Sequence, residues 1–327
     1  MRLNRAALRT TLALALGVGL IAYLVWRNWS DILRLREHPP ALGWMAVAFV
    51  LTFVALYVTF VRWYLLVLAQ GLRFPFADAQ RLGFVGLLFN QVIPGAVSGD
   101  LVKLGLFARE QEKLGLGMAT IAVDRLVGMY GLFLVGSIAV ALNWSRLSDS
   151  PQLRNAAYVV LAAACASTVL LAGLVLASAV PAVERIAQAV PVLGRPLGEM
   201  VAALAVYRGK YRAVAVALAL ACSTHTLFIL ALYCCALALP GPNWPFLAHC
   251  VAAPIGLTIN AVPLTSGGIG VGEAAMQQIY TMLGYDGAKA FLMMLSYRIL
   301  CWIVSLGGVP YLVRSARARR RLEGAAG

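Results

Sequence analysis

Charge is scarce in this 327-residue sequence, and acid is scarcest: Asp and Glu together number 13, charged residues make up 12%, and there are three histidines. With 61% hydrophobic residues and a mean hydropathy of +0.83, too little polar surface exists to face water, which excludes a single soluble domain. The six cysteines (Cys165, Cys222, Cys234, Cys235, Cys250, Cys301) lie inside apolar runs and form no C-x-x-C pair. Neither a zinc ribbon nor a disulfide framework is indicated. His38, His225 and His249 lack the His-x-x-x-His or carboxylate spacing that holds a metal, so no metal and no cofactor is expected. A G-x-x-x-x-G-K-S/T phosphate loop is also absent, which argues against ATP hydrolysis. Gly270 to Ala275 fits the loose dinucleotide pattern but has no β-α-β context. The net charge of +14 comes from clusters between apolar runs with no interleaved aromatic motif, so it predicts orientation in a bilayer rather than nucleic-acid binding.

What is present is apolar length. About 20 apolar residues cross a hydrocarbon core of roughly 30 Å. Six runs qualify: 8–26, 41–68, 116–142, 156–180, 213–239 and 288–312. The first resembles a signal peptide in following Arg2, Arg5 and Arg9, but it is too long and ends in Trp26-Arg27-Asn28-Trp29, so it reads as a retained span. Between these runs lie 76–112 and 246–284, apolar segments split near their middles by Pro94 and Gly99, and by Pro263, Gly267, Gly268, Gly270 and Gly272. A helix cannot continue through such breaks without freeing backbone amides, which cost several kcal/mol each in lipid. Two re-entrant helical hairpins are the simplest solution, although two through-going spans preserve the same parity.

The expected fold is therefore an all-α integral membrane protein of about six spanning helices plus two re-entrant hairpins. Nineteen Lys and Arg residues fall on the side of the N-terminus and six on the other, so both termini are expected in the cytoplasm. The chain divides into a first span and outer loop (8–40), a first repeat (41–142), a linking span and cytoplasmic connector (143–212), a second repeat (213–312) and a basic tail (313–327). The connector, with Pro181, Pro191 and Pro196 among Arg185, Arg195, Arg208, Lys210 and Arg212, is expected against anionic headgroups at the cytoplasmic face. Three complete spans separate the hairpins, so they enter from opposite sides and the repeats are inverted.

Each repeat carries the same phrase. Asn90 to Asp100 is followed by Arg125, and Asn260 to Glu273 by Arg298, in both cases 25 residues after the acid. Charges inside apolar segments are costly and normally paired, facing a cavity or marking a pathway. Asp100 and Glu273 suit helix capping. Arg125 and Arg298 suit either neutralising those acids or gripping a headgroup phosphate in a bidentate fork, and both readings stand. Asp124 is a further counter-charge. Asn90 and Asn260 suit tying off backbone groups at the breaks as well as touching substrate. His225, in Thr224-His225-Thr226, fits either a packing residue or a proton relay.

The run Asn90 to Asp100 with Asp124-Arg125, together with Pro263, Gly267-Gly268-Ile269-Gly270 and Glu273, resembles the transmembrane flippase-like domain of the lysylphosphatidylglycerol synthase/flippase family. The resemblance covers roughly 8–315, with Ser98-Gly99-Asp100 standing where the family has Gly-Gly-Asp. It implies movement of lipid between leaflets; in the full-length synthases a separate soluble domain transfers the amino acid from charged tRNA. The chain ends at Gly327 with no room for that domain, so aminoacyl transfer is not expected.

The combined expectation is a non-enzymatic lipid translocase of the bacterial inner membrane. Its substrate site would draw on Arg125, Arg298, Asp100, Glu273, Asp124, Asn90 and Asn260, its partner being a membrane lipid. The alternatives are an intramembrane lipid-modifying enzyme using Asp100, Asp124 or Glu273 as acid or base, and an accessory protein of a lipid or glycolipid pathway. Sequence leaves the oligomeric state open.

Overall fold

A computed structural model describes residues 5–93, 98–111, 113–142, 144–148, 151–177, 180–189, 194–260, 265 and 267–314. Every regular element among them is helical. From the N-terminus, α1 (Arg5–Arg27) bends by 64° at Asn28 into α2 (Trp29–Glu37). The bend is pinned: the Asn28 side chain donates to the Leu24 carbonyl at 2.7 Å. A long α3 (Leu42–Ala69) follows, then the pair α4 (Phe76–Val92) and α5 (Ser98–Gln111), and a second long helix, α6 (Leu114–Leu142). A short α7 (Trp144–Ser148) leads to α8 (Pro151–Ala177), and α9 (Pro181–Gln188) and α10 (Gly194–Gly209) form the connector. The order long helix, helix pair, long helix then recurs as α11 (Tyr211–Ala238), α12 (Phe246–Asn260) with α13 (Val271–Met282), and α14 (Gly287–Ser305). A 3-10 turn, Leu306–Gly308, extends the last helix to Arg314.

Helices α3, α6, α8, α11 and α14 are each long and apolar enough to cross a membrane, and the bent pair α1–α2 makes a sixth. This is a multi-pass helical membrane protein. Its outer surface agrees: Leu42, Leu142 and Val169 are each more than 70% exposed, which costs little only where the solvent is hydrocarbon. The members of the two helix pairs are shorter. At 1.5 Å per residue, the 17 residues of α4 and 15 of α12 reach roughly 25 and 22 Å, below the roughly 30 Å of a bilayer core. Pro94 and Pro263, the residues expected to break these segments, lie outside the described residues.

Glycines let each pair close up. A Cβ on Gly99 of α5 would stand 1.9 Å from the carbonyl oxygen of Gly86 on α4, so the two backbones touch where side chains would forbid it. In the second pair, a Cβ on Gly256 of α12 would run into the Met276 side chain of α13. The turn before α13 uses Gly267, Gly268 and Gly270 at φ of 55°, 71° and 79°, a left-handed backbone that L side chains adopt at a cost. Gly99 and Gly272 lie one step on, inside the first turns of α5 and α13.

The most extensive helix pairing joins α3 to α11. The amide of Ala41 before α3 donates to the Ala238 carbonyl ending α11 at 2.8 Å. At the other end of α3, the Tyr207 hydroxyl of α10 donates to the Leu66 carbonyl at 2.9 Å, and Gln70 donates to the Ala203 carbonyl at 2.9 Å. The two long helices therefore run antiparallel. The connector also reaches the start of α6, where the Gly115 amide donates to the Glu199 carboxylate at 3.2 Å. The start of α14 sits at the opposite end, where the Lys289 ammonium donates to the Pro242 carbonyl at 2.9 Å. Buried apolar side chains form several cores, one of which, with Leu66, Val123 and Ala221, joins α3 and α6 to α11 across the two halves. Trp63, Phe74, Leu82 and Phe107 join α3 to α4 and α5, while Ile229, Leu232, Met276, Phe291 and Met293 join α11 to α13 and α14.

Candidate functional site

Each helix pair presents an acid in the first turn of its second member, and the long helix that follows presents an arginine to it. In the first half, α4 ends at Asn90, whose side-chain oxygen accepts from the Gly99 amide at 2.7 Å. That bond ties off a donor left free at the start of α5. Asp100, in the same first turn, receives the Nε–H of Arg125 from α6. The Arg125 side chain is 44% exposed and the Asp100 side chain 15%. Among the described residues the two terminal nitrogens of Arg125 have no hydrogen-bond acceptor, which leaves four of its five N–H donors unengaged there.

The second half repeats the pairing in a closed setting. Arg298 of α14 donates from Nε to one oxygen of Glu273 and from Nη2 to the other at 3.0 Å. The same guanidinium reaches Asn260 Oδ1 at 2.8 Å and the carbonyls of Gly267 and Gly268 at 2.6 and 3.0 Å. Glu273 also accepts from the Gly270 amide at 2.8 Å, capping α13. Both side chains are buried, at 4% and 0% exposure. Asn260 thus turns to Arg298, and the whole Gly-rich turn is wrapped around one guanidinium.

Asp124 turns away from its neighbour Arg125 and takes a bidentate pair from Arg62 of α3, at 2.7 and 3.1 Å, both residues being buried. Lys103 of α5 is buried too, with its ammonium 3.5 Å from the centroid of the Trp63 ring. His225 of α11 meets the Gly128 carbonyl at 2.9 Å through Nε2, while its Nδ1 is buried without a partner among the described residues. A Cβ on Gly128 would lie 3.1 Å from Arg62 Nη2, so His225 adjoins the Arg62–Asp124 pair rather than either repeated pair.

The ends of the two helix pairs meet. A Cβ on Gly267 would lie 3.1 Å from both the Asn90 carbonyl and Gln91 Oε1, and Trp302 of α14 donates to Gln91 Oε1 at 3.1 Å. Helix α1 passes over the second turn at Gly17, where a Cβ would lie 3.3 Å from the Ile269 carbonyl.

Arg62, Lys103 and Gln91 were not singled out from the sequence. A signal existed for the first two: Arg62 is a charge inside a 28-residue apolar helix, and Lys103 follows Asp100 by three residues, one helical turn. Two concavities lie away from these groups. One of about 370 Å³ is lined by Glu184, Gln188, Gly198, Glu199 and Ala202 of the connector. The other, about 590 Å³, is lined by residues 37–39, 41 and 237–241 where α2, α3 and α11 end.

A family model described as the lysylphosphatidylglycerol synthase TM region matches residues 10–308. Searches of curated proteins and of solved structures find no match.

Proposed function

The chain belongs to the lysylphosphatidylglycerol synthase TM-region family, and from that premise we propose that it moves a lipid with a polar headgroup between the leaflets of a bacterial inner membrane. In this reading α3–α6 and α11–α14 are inverted repeats, and the two helix pairs are re-entrant hairpins that enter from opposite faces. Three observations support it: the antiparallel α3 and α11, the placement of the α6 and α14 starts at opposite ends, and the meeting of the pair ends at Gln91 and Gly267. Inverted halves can exchange conformations and open a central site first to one side and then to the other.

The observation that carries the proposal is Arg125. A half-exposed guanidinium with two nitrogens that no described residue engages, deep in a membrane helix and close after the first helix pair, is a ready fork for a phosphate or other anionic oxygen. The headgroup meets Arg125 and Asp100 while its acyl or prenyl chains stay in the bilayer. Arg298 and Glu273, sealed in this conformation, join the path only when the second hairpin opens. Asp124 holds the neighbouring helix in register through Arg62, and Asn90 and Asn260 hold the hairpin tips. His225 bonds the Gly128 carbonyl and ties α11 to α6 beside Arg62.

Proteoliposomes carrying a trace of headgroup-labelled lipid test this through the rate at which label becomes accessible to an external quencher. The expected result is transfer faster than in protein-free vesicles. Arg125→Ala should slow it roughly tenfold or more, the worth of a charged hydrogen bond of about 1.5–3 kcal/mol. A panel of phospholipids and polyprenyl lipids that all cross no faster than in empty vesicles overturns the proposal, as does a folded Arg125→Ala protein with full activity.

A further inference from the structure

The two halves share an acid–arginine pair but differ in what surrounds it. Residues 173 positions after Arg62, Lys103 and Asp124 are Cys235, Met276 and Tyr297, the same offset that relates Asp100 to Glu273 and Arg125 to Arg298. All three counterparts are buried and uncharged at neutral pH. The second half is therefore neutral around its pair, Arg298 against Glu273.

The first half is not. Arg62 is cancelled by Asp124 and Arg125 is matched by Asp100, which leaves the ammonium of Lys103 over. Lys103 is 8% exposed and has no carboxylate within ion-pair distance among the described residues; its neighbour is the Trp63 ring, which suits a cation. It lies within the electrostatic reach of Asp124, Asp100, Arg125 and Arg62, so the five groups form one cluster with an excess positive charge. A lone positive charge buried in a membrane protein is expensive until an anion joins it.

We propose that Lys103 and the free edge of Arg125 together form an anion subsite in the first half of the protein, selecting lipids whose headgroup carries net negative charge, such as a phosphomonoester, a diphosphate or an anionic phosphodiester. The inference rests on the reading that a lipid headgroup enters beside Arg125, and it narrows that reading to one chemical class and one half of the repeat. A zwitterionic headgroup brings its own cation and leaves the excess charge in place; an anionic one cancels it.

The test is equilibrium binding to the purified full chain in a neutral detergent, measured by native mass spectrometry with dioctanoyl phosphatidic acid, dioctanoyl phosphatidylglycerol and dioctanoyl phosphatidylcholine. The two anionic lipids should bind roughly tenfold or more tightly than the zwitterionic one. Lys103→Met should remove that preference without changing phosphatidylcholine binding, and Lys103→Arg should keep it. Equal affinity of the unaltered protein for all three lipids overturns the inference without recourse to any variant. So does a Lys103→Met protein that retains the preference. If the preference is present but vesicles show no lipid crossing, the translocation reading falls and the subsite stands. If lipids cross without charge preference, the subsite falls and translocation stands.

Discussion

Removing the acid from each of the two pairs should have unequal consequences, although the pairs share a spacing of 25 residues. Glu273→Ala leaves Arg298 charged and 4% exposed, with Asn260 and two backbone carbonyls as its remaining acceptors among the described residues. Breaking a buried ion pair by deleting one partner costs about 3–5 kcal/mol, and the Gly270 amide also loses its acceptor. A domain is stable by only about 5–15 kcal/mol in all. In the water-filled cavity that the proposed function gives it, Arg125 can still find water or lipid headgroups after Asp100→Ala, a setting in which ion pairs are worth about 0–1 kcal/mol. At roughly 2 °C per kcal/mol for a chain of this size, Glu273→Ala should lower the apparent Tm by roughly 6–10 °C and Asp100→Ala by about 2 °C or less. The assay is the loss of monodisperse protein after heating in detergent, followed by fluorescence on a size-exclusion column at one fixed heating time, because such unfolding is commonly irreversible. Glu273→Leu combined with Arg298→Met, which removes both charges and keeps apolar volume, should recover much of the loss. Equal shifts for the two single variants, or a double variant worse than Glu273→Ala, would refute the contrast drawn from burial.

Gly99→Ala would place a methyl carbon 1.9 Å from the Gly86 carbonyl and should sharply reduce the yield of folded protein, whereas Gly105→Ala meets nothing within 4 Å and should stabilise α5 by about 0.5–1 kcal/mol; heating curves of the two proteins check both. Asp124→Asn should destabilise by about 3–5 kcal/mol through the stranded, buried Arg62, with Asp124→Leu plus Arg62→Met milder than the single change. His225→Gln keeps an N–H donor for the Gly128 carbonyl and removes the imidazole, so a relay role requires the transport rate to lose part of its pH dependence. An unchanged pH profile removes His225 from the pathway.

Much of this arrangement was legible in the sequence because it is written within single helices or between residues a fixed distance apart. The long apolar runs marked the helices that qualify as spans, with ends off by a few residues, and the glycine clusters marked the second interruption at Gly267, Gly268 and Gly270. The matched spacing from Asp100 to Arg125 and from Glu273 to Arg298 suited two ion pairs as one of the readings left open, and both pairs form. What could not be read was rotation. Helices such as α3 and α6 are apolar nearly all round, so no polar face reveals which side meets a neighbour. Arg62 and Lys103 therefore counted as positive charges near the cytoplasmic ends, whereas packing turns both inward, Arg62 onto Asp124 and Lys103 onto Trp63. The 64° bend after α1 was equally hidden, since it depends on Asn28 reaching Leu24 and, across the fold, Gln277.

The same limit explains why two similar phrases end in different environments. A motif fixes which groups can pair, but the number of other acceptors around the pair decides whether it is structural or available. Arg298 has Asn260 and the carbonyls of Gly267 and Gly268 as further acceptors, in a half where the asparagine and the acid stand three residues farther apart than in the first. In the first half Asn90 accepts from the Gly99 amide, and among the described residues Arg125 has the Asp100 carboxylate as its one acceptor. These added acceptors turn a potential binding fork into a clamp. Grafting the longer turn into the first half should bury Arg125 and weaken anionic-lipid binding even with Lys103 in place, because the ammonium alone lacks the planar pair of donors that orients a phosphate.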